Sequence, residues 1–209
     1  MKTVVVTGGA GLIGSELTAS LLERGHHVIC LDNFLTGSRD AVSSFQSHNQ
    51  YTLIEHDVIK PLPKLPDHID WIFHLASPAS PNSHSPISSH ALPMETMMVN
   101  TVGTHNMLEL AHSRNARFLF ASTSEIYGDP LEHPQAESYN GNVSSTGPRS
   151  IYDEAKRFGE TLTAFYVREK KLDGRIVRIF NTYGPNMRSD DQRMLVNFIL
   201  QALNNKDIT

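Results

Sequence analysis

The sequence is poor in cysteine, and Cys30 is the only one among its 209 residues. A single cysteine excludes an internal disulfide and a zinc site built on cysteines. It fits a protein of a reducing compartment. The first apolar strand pattern begins directly after Met1, which leaves no room for a signal peptide. We therefore expect a cytoplasmic protein.

Basic blocks and long apolar runs are lacking as well. Eighteen Lys and Arg residues stand against 22 Asp and Glu residues, which gives a formal net charge of −4. No stretch concentrates the basic residues, so the electrostatic footprint of a nucleic-acid-binding protein is missing. No apolar run has the length that spanning a bilayer requires. Neither a nucleic acid nor a membrane is expected as a partner, and an anionic ligand must be met by individual arginines and backbone N–H groups.

Histidine is plentiful, with eleven copies, but its spacing does not indicate a metal site. His26 and His27 are adjacent, and His84 and His90 lie in a loop rich in serine and proline without a His-x-Glu or His-x-x-x-His pattern. We predict that the histidines are solvated or capping residues and that the protein binds no metal.

Glycines are concentrated where the first apolar run ends, in residues 7–14 (TGGAGLIG). Gly8, Gly11 and Gly14 predict a tight turn between a strand and a helix, in which backbone N–H groups approach a phosphate and the helix packs closely on the strand. A pyrophosphate would then lie at the helix N-terminus, beside Leu12 and Ile13. The alternative is a glycine-rich connection between a core strand and a helix without a ligand.

Apolar strand patterns alternate with helical patterns along the whole chain. The strands are predicted at residues 3–7, 27–32, 52–57, 70–76, 117–122 and 175–180, and the main helices after Gly14 and at 94–113, 151–170 and 193–203. This alternation predicts an α/β fold with a doubly wound, Rossmann-like parallel sheet. We expect a nucleotide-binding domain over residues 1–182. Residues 183–209 then begin a small substrate-binding domain that is largely missing, because the last residues resemble the start of a strand cut short.

Asp32 ends the second predicted strand, about twenty residues beyond the glycine turn. A dinucleotide site needs an acceptor for the adenosine ribose hydroxyls at this place, and a carboxylate would repel a 2′-phosphate, which favours NAD over NADP. Arg39 nearby weakens that preference slightly. The alternative role for Asp32 is a helix cap or a turn residue.

Tyr152 and Lys156 stand four residues apart on a predicted helix and therefore share one face. A lysine ammonium beside a phenol favours the phenolate, so we predict that the pKa of Tyr152 is lowered toward the range of a general base. The alternative is a solvated lysine beside a half-buried tyrosine. Thr123, at the end of the preceding strand, would supply the hydroxyl group that, together with the tyrosine base, is needed to oxidise a secondary alcohol with NAD.

The sequence resembles the extended short-chain dehydrogenases/reductases, through the glycine turn and the Tyr152-x-x-x-Lys156 pair. Within that superfamily, three further stretches resemble the UDP-glucuronic acid decarboxylases. They are residues 74–81 (HLASPASP), 122–135 (STSEIYGDPLEHPQ) and 147–157 (GPRSIYDEAKR) followed by 178–187 (RIFNTYGPNM). The resemblance extends over essentially the whole chain.

This resemblance implies a reaction and a role for each site residue. NAD oxidises C4 of UDP-glucuronate with Tyr152 as base, Lys156 tuning it and Thr123 holding the hydroxyl. Carbon dioxide then leaves, and the same cofactor reduces C4 to give UDP-xylose. Ser124 and Glu125 lie near C5 and the carboxylate. The implied cofactor-binding set is Gly8, Gly11, Leu12, Ile13, Gly14, Asp32, Asn33, Asp57, Val58, Leu75, Ala76, Ser77, Asn100, Tyr152 and Lys156, and the substrate-binding set is Ser80, Glu125, Asn181, Arg193 and Asn197.

The sequence departs from this family between Pro81 and Pro93. The family usually has a shorter loop there, with a tyrosine that helps to hold the substrate, whereas this loop is longer and has no tyrosine. The family also draws an arginine for decarboxylation from a part that lies beyond Thr209. A homodimer is implied, paired through the helices at 94–113 and 151–170.

Three other functions remain open on the sequence. A nucleotide-sugar 4,6-dehydratase shares the glutamate but typically has an aspartate where Ser124 stands, and a 4-epimerase does not need Glu125. A non-catalytic NAD-binding protein would have no need of a base at the nicotinamide.

Overall fold

A computed structural model describes residues 1–191 and 193–209 of the chain. Its centre is a parallel sheet of six strands in the order β3-β2-β1-β4-β5-β6. The strands are β1 (Thr3–Thr7), β2 (His27–Asp32), β3 (Tyr51–Glu55), β4 (Trp71–His74), β5 (Arg117–Thr123) and β6 (Gly174–Ile179). This is the doubly wound, Rossmann-like order, so the predicted fold class is confirmed.

Helices connect the strands and cover both faces of the sheet. They are α1 (Leu12–Glu23), α2 (Asp40–Ser43), α3 (Pro93–Met98), α4 (Thr104–Arg114), α5 (Ser150–Glu169) and α6 (Met194–Leu203). Short 3₁₀ turns occupy Ser124–Tyr127 and Ser189–Asp191. Among the described residues, no helix is both long and apolar enough to cross a membrane.

Alternating side chains of the central strands form a core on each face of the sheet. Val5 belongs to the core that includes Phe118 and Phe120 and packs against α4 and α5. Val4 and Val6 belong to the opposite core, which packs against α1. All three valines are fully buried, and β-branched side chains suit such a strand. The paired central strands β1 and β4 therefore end side by side, where the carboxyl ends of all the parallel strands meet.

Most predicted elements agree with the structure to within one to three residues, but the helix predicted at 94–113 is divided. A π-helical turn, Val99–Gly103, lies between α3 and α4. Within this turn the Asn100 side chain donates to the Thr96 carbonyl and to Ser77 Oγ. π-Helical turns occur often at functional sites. Helical periodicity does not reveal a single turn of this kind, because the apolar face stays nearly continuous.

The crevice of the sheet follows from its strand order. β1 pairs with β2 on one side and with β4 on the other, so the connections after β1 and β4 leave in opposite directions. Ligands of open α/β sheets bind at this switch point, outside the carboxyl ends of the strands. The boundary between residues 182 and 183 stays a prediction.

Candidate functional site

The turn from β1 to α1 has no room for side chains at two of its glycines. A Cβ atom at Gly14 would lie 2.1 Å from the carbonyl oxygen of Gly8, and one at Gly8 would lie 2.8 Å from the Cα atom of Ala76. Gly8 also has a positive φ of 69°, which glycine adopts without a steric penalty. The turn therefore packs closely against the end of β4 and against α1. Because Gly8 and Gly14 also line the crevice without side chains, a phosphate can approach the first N–H groups of α1 closely.

A buried hydrogen-bonded group joins the ends of β1 and β4 beneath this turn. Thr7 Oγ1 accepts the N–H groups of Leu75 and Ala76 at 3.2 Å each and lies 2.7 Å from His74 Nδ1. His74 Nε2 lies 3.2 Å from Thr104 Oγ1. Burial lowers the pKa of His74 to about 3, so the imidazole is neutral. His74 is thus a buried structural residue, and the expectation of solvated or capping histidines is wrong for it.

A first cavity lies on the β2 side of the switch point. Asp32 is buried at its wall, where Oδ2 accepts the Ala10 N–H at 2.9 Å and Oδ1 accepts the Phe34 N–H at 2.8 Å. Burial raises the pKa of this carboxyl, and the two N–H groups oppose the rise. Asp32 therefore acts in the turn, as the alternative interpretation held, and also faces the cavity. The other predicted cofactor residues that line this cavity are Gly8, Asn33, Asp57, Val58, Leu75, Ala76 and Ser77.

A second cavity lies on the β5 side and is lined by the residues that were predicted to be catalytic. It shares Gly8, Leu75 and Ser77 with the first cavity, so the two form one elongated crevice over the glycine turn. The predicted residues that line the second cavity are Leu12, Ile13, Gly14, Thr123, Ser124, Glu125, Tyr152, Lys156, Asn181 and Arg193. An elongated ligand would thus contact both the glycine turn and the Tyr152 phenol.

Tyr152 and Lys156 are both buried, at 5% and 4% exposure. This excludes the alternative of a solvated lysine beside a half-buried tyrosine. Lys156 Nζ donates to the Ala121 carbonyl at 2.8 Å and lies 5.8 Å from the centre of the Tyr152 ring. The tyrosine hydrogen-bonds to Thr123. The helix therefore places the two side chains in the arrangement that the sequence predicts.

The predicted lowering of the Tyr152 pKa is wrong for the protein by itself. Burial raises this pKa to about 12, and the hydrogen bond to Thr123 only partly opposes the rise. Burial also lowers the pKa of Lys156 to about 7, so the ammonium charge is only partly present at neutral pH. The spacing of Tyr152 and Lys156 along the helix does not show how deeply both groups are buried. Burial has a larger effect on their pKa values than their proximity to each other.

An ion pair borders the second cavity beside Tyr152. Arg149 Nε donates to Glu125 Oε2 at 2.9 Å, and Arg149 Nη2 contacts the same oxygen. Arg149 Nη1 also reaches His90 Nε2 at 3.0 Å and Ser89 Oγ at 3.3 Å. Arg149 therefore connects the loop between Pro81 and Pro93 to the β5 side of the crevice.

A second ion pair holds Arg193 at the mouth of the crevice. Arg193 Nε and Nη2 donate to the two carboxylate oxygens of Asp191 at 2.8 Å each. Ser80 Oγ donates to the same carboxylate at 2.9 Å. Ser80 is thus engaged with Asp191 and lies in an adjoining cavity with Arg193.

The structure does not bring every predicted site residue to the crevice wall. Four predicted residues line neither of the two cavities described above, namely Gly11, Ser80, Asn100 and Asn197. Gly11 shapes the turn, since its N–H donates to the Gly8 carbonyl at 3.1 Å. Asn100 lies behind Ser77 and hydrogen-bonds to its hydroxyl. Asn197 is half-buried on α6.

Sequence reasoning missed Arg149, Asp153 and Asp191 as members of the site. Arg149 precedes Tyr152 by three residues and caps the start of α5, and Asp153 directly follows Tyr152 on that helix. Helical spacing places Arg149 on the face of Tyr152 and Asp153, so this signal was present. Asp191 precedes Arg193 by two residues in a loop, where spacing carries no such information.

The sequence is similar to that of a known protein family and of several named proteins. Residues 4–209 match the family described as NAD dependent epimerase/dehydratase. The chain is 47% identical over 208 residues to UDP-glucuronic acid decarboxylase 1 of Xenopus tropicalis. This match covers 100% of this chain and 48% of that protein. It is 50% identical over 206 residues to UDP-glucuronic acid decarboxylase 4 of Arabidopsis thaliana, a match that covers 99% of this chain and 45% of that protein. The chain thus spans about half the length of these relatives.

Solved structures show the same fold. The crystal structure of UDP-glucuronic acid 4-epimerase from Bacillus cereus in complex with NAD has a TM-score of 0.79 and 28% identity, with 99% of this chain and 64% of that chain covered. The crystal structure of dTDP-glucose 4,6-dehydratase from Bacillus anthracis, also in complex with NAD, has a TM-score of 0.79 and 21% identity. The match covers 100% of this chain and 63% of that chain. The second likeness concerns the fold alone.

Proposed function

Since this chain belongs to the NAD dependent epimerase/dehydratase family, we propose that it binds NAD and decarboxylates UDP-glucuronate to UDP-xylose. The observation that carries this proposal is the second cavity, where Tyr152, Lys156 and Thr123 face the glycine turn beside Glu125. The relatives named UDP-glucuronic acid decarboxylase support the choice of substrate.

The crevice has the features that a dinucleotide requires. Gly8 and Gly14 line the second cavity without side chains, so the backbone can approach a pyrophosphate at the start of α1. Asp32 lies on the wall of the first cavity, where its carboxylate can accept the ribose hydroxyls. When bound there, NAD supplies a hydride acceptor and donor and, in its oxidised form, a positive charge on the nicotinamide ring.

Tyr152 is the base in this proposal. Its phenolate accepts the proton of the sugar C4 hydroxyl, and Thr123, to which Tyr152 is hydrogen-bonded, holds the same oxygen. A raised pKa of about 12 means that positive charge at the cavity must favour the phenolate, and Lys156 is placed to add part of it. Thr123 and Tyr152 act on the same oxygen again, in the reverse direction, when C4 is reduced.

Decarboxylation uses the other side of the cavity. With C4 as a ketone, the C6 carboxylate lies β to it, so the C5–C6 bond breaks, carbon dioxide leaves and its bonding electrons form an enolate. Ser124 and Glu125 line the cavity where C5 would lie, and the Glu125 carboxylate positions the ring or relays a proton to C5.

The nucleotide end of the substrate would lie toward Asn181 and Arg193, with Ser80 and Asn197 nearby. Arg193 is the cation of this group, and its two hydrogen bonds to Asp191 fix its orientation. A guanidinium held in this way can bind a diphosphate without first losing much side-chain freedom.

A direct test incubates the chain with UDP-glucuronate and a catalytic amount of NAD, and follows carbon dioxide together with the product mass. We expect release of one carbon dioxide and a nucleotide pentose without net reduction of NAD. Tyr152→Phe should lower this rate by about 10² to 10⁴-fold while NAD still binds, and Tyr139→Phe, which lies outside both cavities, is the matched control.

Other products would assign other functions. A nucleotide sugar of unchanged mass but altered C4 configuration would indicate a 4-epimerase, the function named for the Bacillus cereus structure. A 4-keto-6-deoxy sugar formed from a nucleotide glucose would indicate a dehydratase. Tight NAD binding without turnover of any nucleotide sugar would indicate a binding protein.

We also propose that two copies pair through the helices α3, α4 and α5. The support is a set of apolar side chains on α3, on α5 and on the π-helical turn between α3 and α4. They are 37% to 49% exposed, namely Met98, Val102, Phe158 and Phe165. Burying such side chains is the usual driving force for a stable homodimer. Light scattering after gel filtration should give twice the chain mass, and a monomer would contradict the proposal.

A further inference from the structure

The buried carboxyl group of Asp153 has no role in the chemistry described above. Asp153 follows Tyr152 on α5 and is 6% exposed. Its carboxyl is hydrogen-bonded to that of Glu125, which belongs to the 3₁₀ turn after β5. Among the described residues, the Oδ1 atom of Asp153 has no hydrogen-bond partner. A buried carboxyl of this kind is costly unless it is neutral or paired.

The hydrogen bond between the two carboxyl groups requires a proton, because an ionised carboxylate can only accept. Arg149 indicates which group holds that proton. Its guanidinium donates twice to Glu125 Oε2, and this favours the ionised form of Glu125. The proton therefore lies on Asp153, which donates to Glu125.

We propose that Asp153 is a positioning residue: its protonated carboxyl, together with the Arg149 guanidinium, holds the Glu125 carboxylate in place at the reaction cavity. The role of Glu125 in decarboxylation rests on the proposed function. The geometry of the three side chains does not, because it consists of contacts within the chain.

The charges around Asp153 agree with this assignment. Its pKa is raised to about 7, first by burial and next by the negative charge of Glu125, with Arg149 opposing and Glu154 adding a small rise. On the loop packed against this group, His90 contacts Arg149 rather than Asp153. Above pH 7 the proton is lost, two adjacent carboxylates repel each other, and Glu125 loses one of its two supports.

The first test needs no substrate and no cofactor. Carboxyl ¹³C NMR of the chain should show an Asp153 resonance that titrates near pH 7, and Glu125→Gln should move this titration to lower pH because it removes the neighbouring charge. The matched control is Glu154→Gln, which removes a half-exposed carboxylate one residue further along α5 and should move it much less. Titration of Asp153 near its ordinary value of about 4 would overturn the proposal.

The second test measures the pH profile of carbon dioxide release. We expect the wild-type rate to fall about tenfold above pH 7. In Asp153→Asn this fall should be smaller, since the amide still donates to Glu125 but does not titrate, and only the part that comes from deprotonation of Lys156 remains. Asp153→Ala should be slower at every pH. Parallel profiles for the wild type and Asp153→Asn would overturn the positioning role.

The two tests separate this inference from the proposed function. An Asp153 titration near pH 7 that responds to Glu125→Gln, in a chain that releases no carbon dioxide, supports the pair and contradicts the decarboxylase. Carbon dioxide release with an Asp153 titration near 4 supports the decarboxylase and contradicts the pair.

Discussion

Replacing Gly14 with alanine places a methyl group where the structure has no room. The added Cβ atom would lie 2.1 Å from the Gly8 carbonyl oxygen and 2.7 Å from the Gly9 Cα atom. Both are backbone atoms, so no side chain can rotate away, and α1 must move from β1 by about 1 Å to restore a normal contact. Forced overpacking of this kind costs up to about 3 kcal/mol.

The same movement displaces the N–H groups that would receive the pyrophosphate. If most of the cost falls on the binding-competent turn, the affinity for NAD falls about 100-fold. If it falls on the fold, the unfolding temperature drops by roughly 6–12 °C for a chain of this size. Titration calorimetry with NAD and scanning calorimetry of the free chain measure these two losses separately.

Two other glycines serve as controls for this experiment. At Gly11 a Cβ atom would meet the Gly8 carbonyl oxygen at 3.2 Å, so Gly11→Ala should cause a much smaller loss than Gly14→Ala. Gly25 has a positive φ of 73°, and among the described residues no atom lies within 4 Å of its Cβ position. Gly25→Ala should therefore cost about 1 kcal/mol of stability and leave NAD affinity unchanged. If Gly14→Ala matched Gly25→Ala both in NAD affinity and in unfolding temperature, the steric reasoning would be refuted.

Three further predictions concern charged side chains of the crevice. Asp32→Asn leaves one oxygen to accept two backbone N–H groups, so NAD binding should weaken about tenfold by calorimetry; unchanged affinity would remove Asp32 from the cofactor site. Lys156 has a pKa lowered to about 7 in the folded chain and about 10.4 when unfolded, so the unfolded state binds more protons between these values and stability rises with pH there. Urea unfolding at about pH 7.5 and 9.5 should show this rise in the wild type but not in Lys156→Met, and equal slopes would contradict the burial argument. Asp191→Asn loosens Arg193, so the KM for the nucleotide sugar should rise about tenfold with little change in kcat; a loss confined to kcat would contradict this role.

The residues of the site differ in how far the sequence could predict them. Tyr152 and Lys156 were predictable because helical spacing places them on one face whatever surrounds them. Asp32 was predictable because its strand ends at the crevice. Their protonation was not, because a pKa depends on burial, and burial is decided by elements distant in the sequence.

Contacts between distant segments escaped prediction for the same reason. Asp191 meets Ser80 across 111 residues of sequence, and Arg149 meets His90 across 59. No local pattern encodes such pairs. Asn197 was assigned to the substrate by resemblance, and its role stays a prediction, as do the cytoplasmic location and the boundary at residue 182.

The sequence by itself determined the order of strands and helices, the parallel sheet and the glycine turn, because hydrophobic periodicity and backbone freedom are local properties of the chain. Only the tertiary structure decided which carboxyl groups lie side by side, which arginines are held by a partner, and how burial shifts the pKa values of the phenol and the ammonium group. These properties depend on desolvation and on short distances between side chains, and both arise only when the sheet brings its strand ends together.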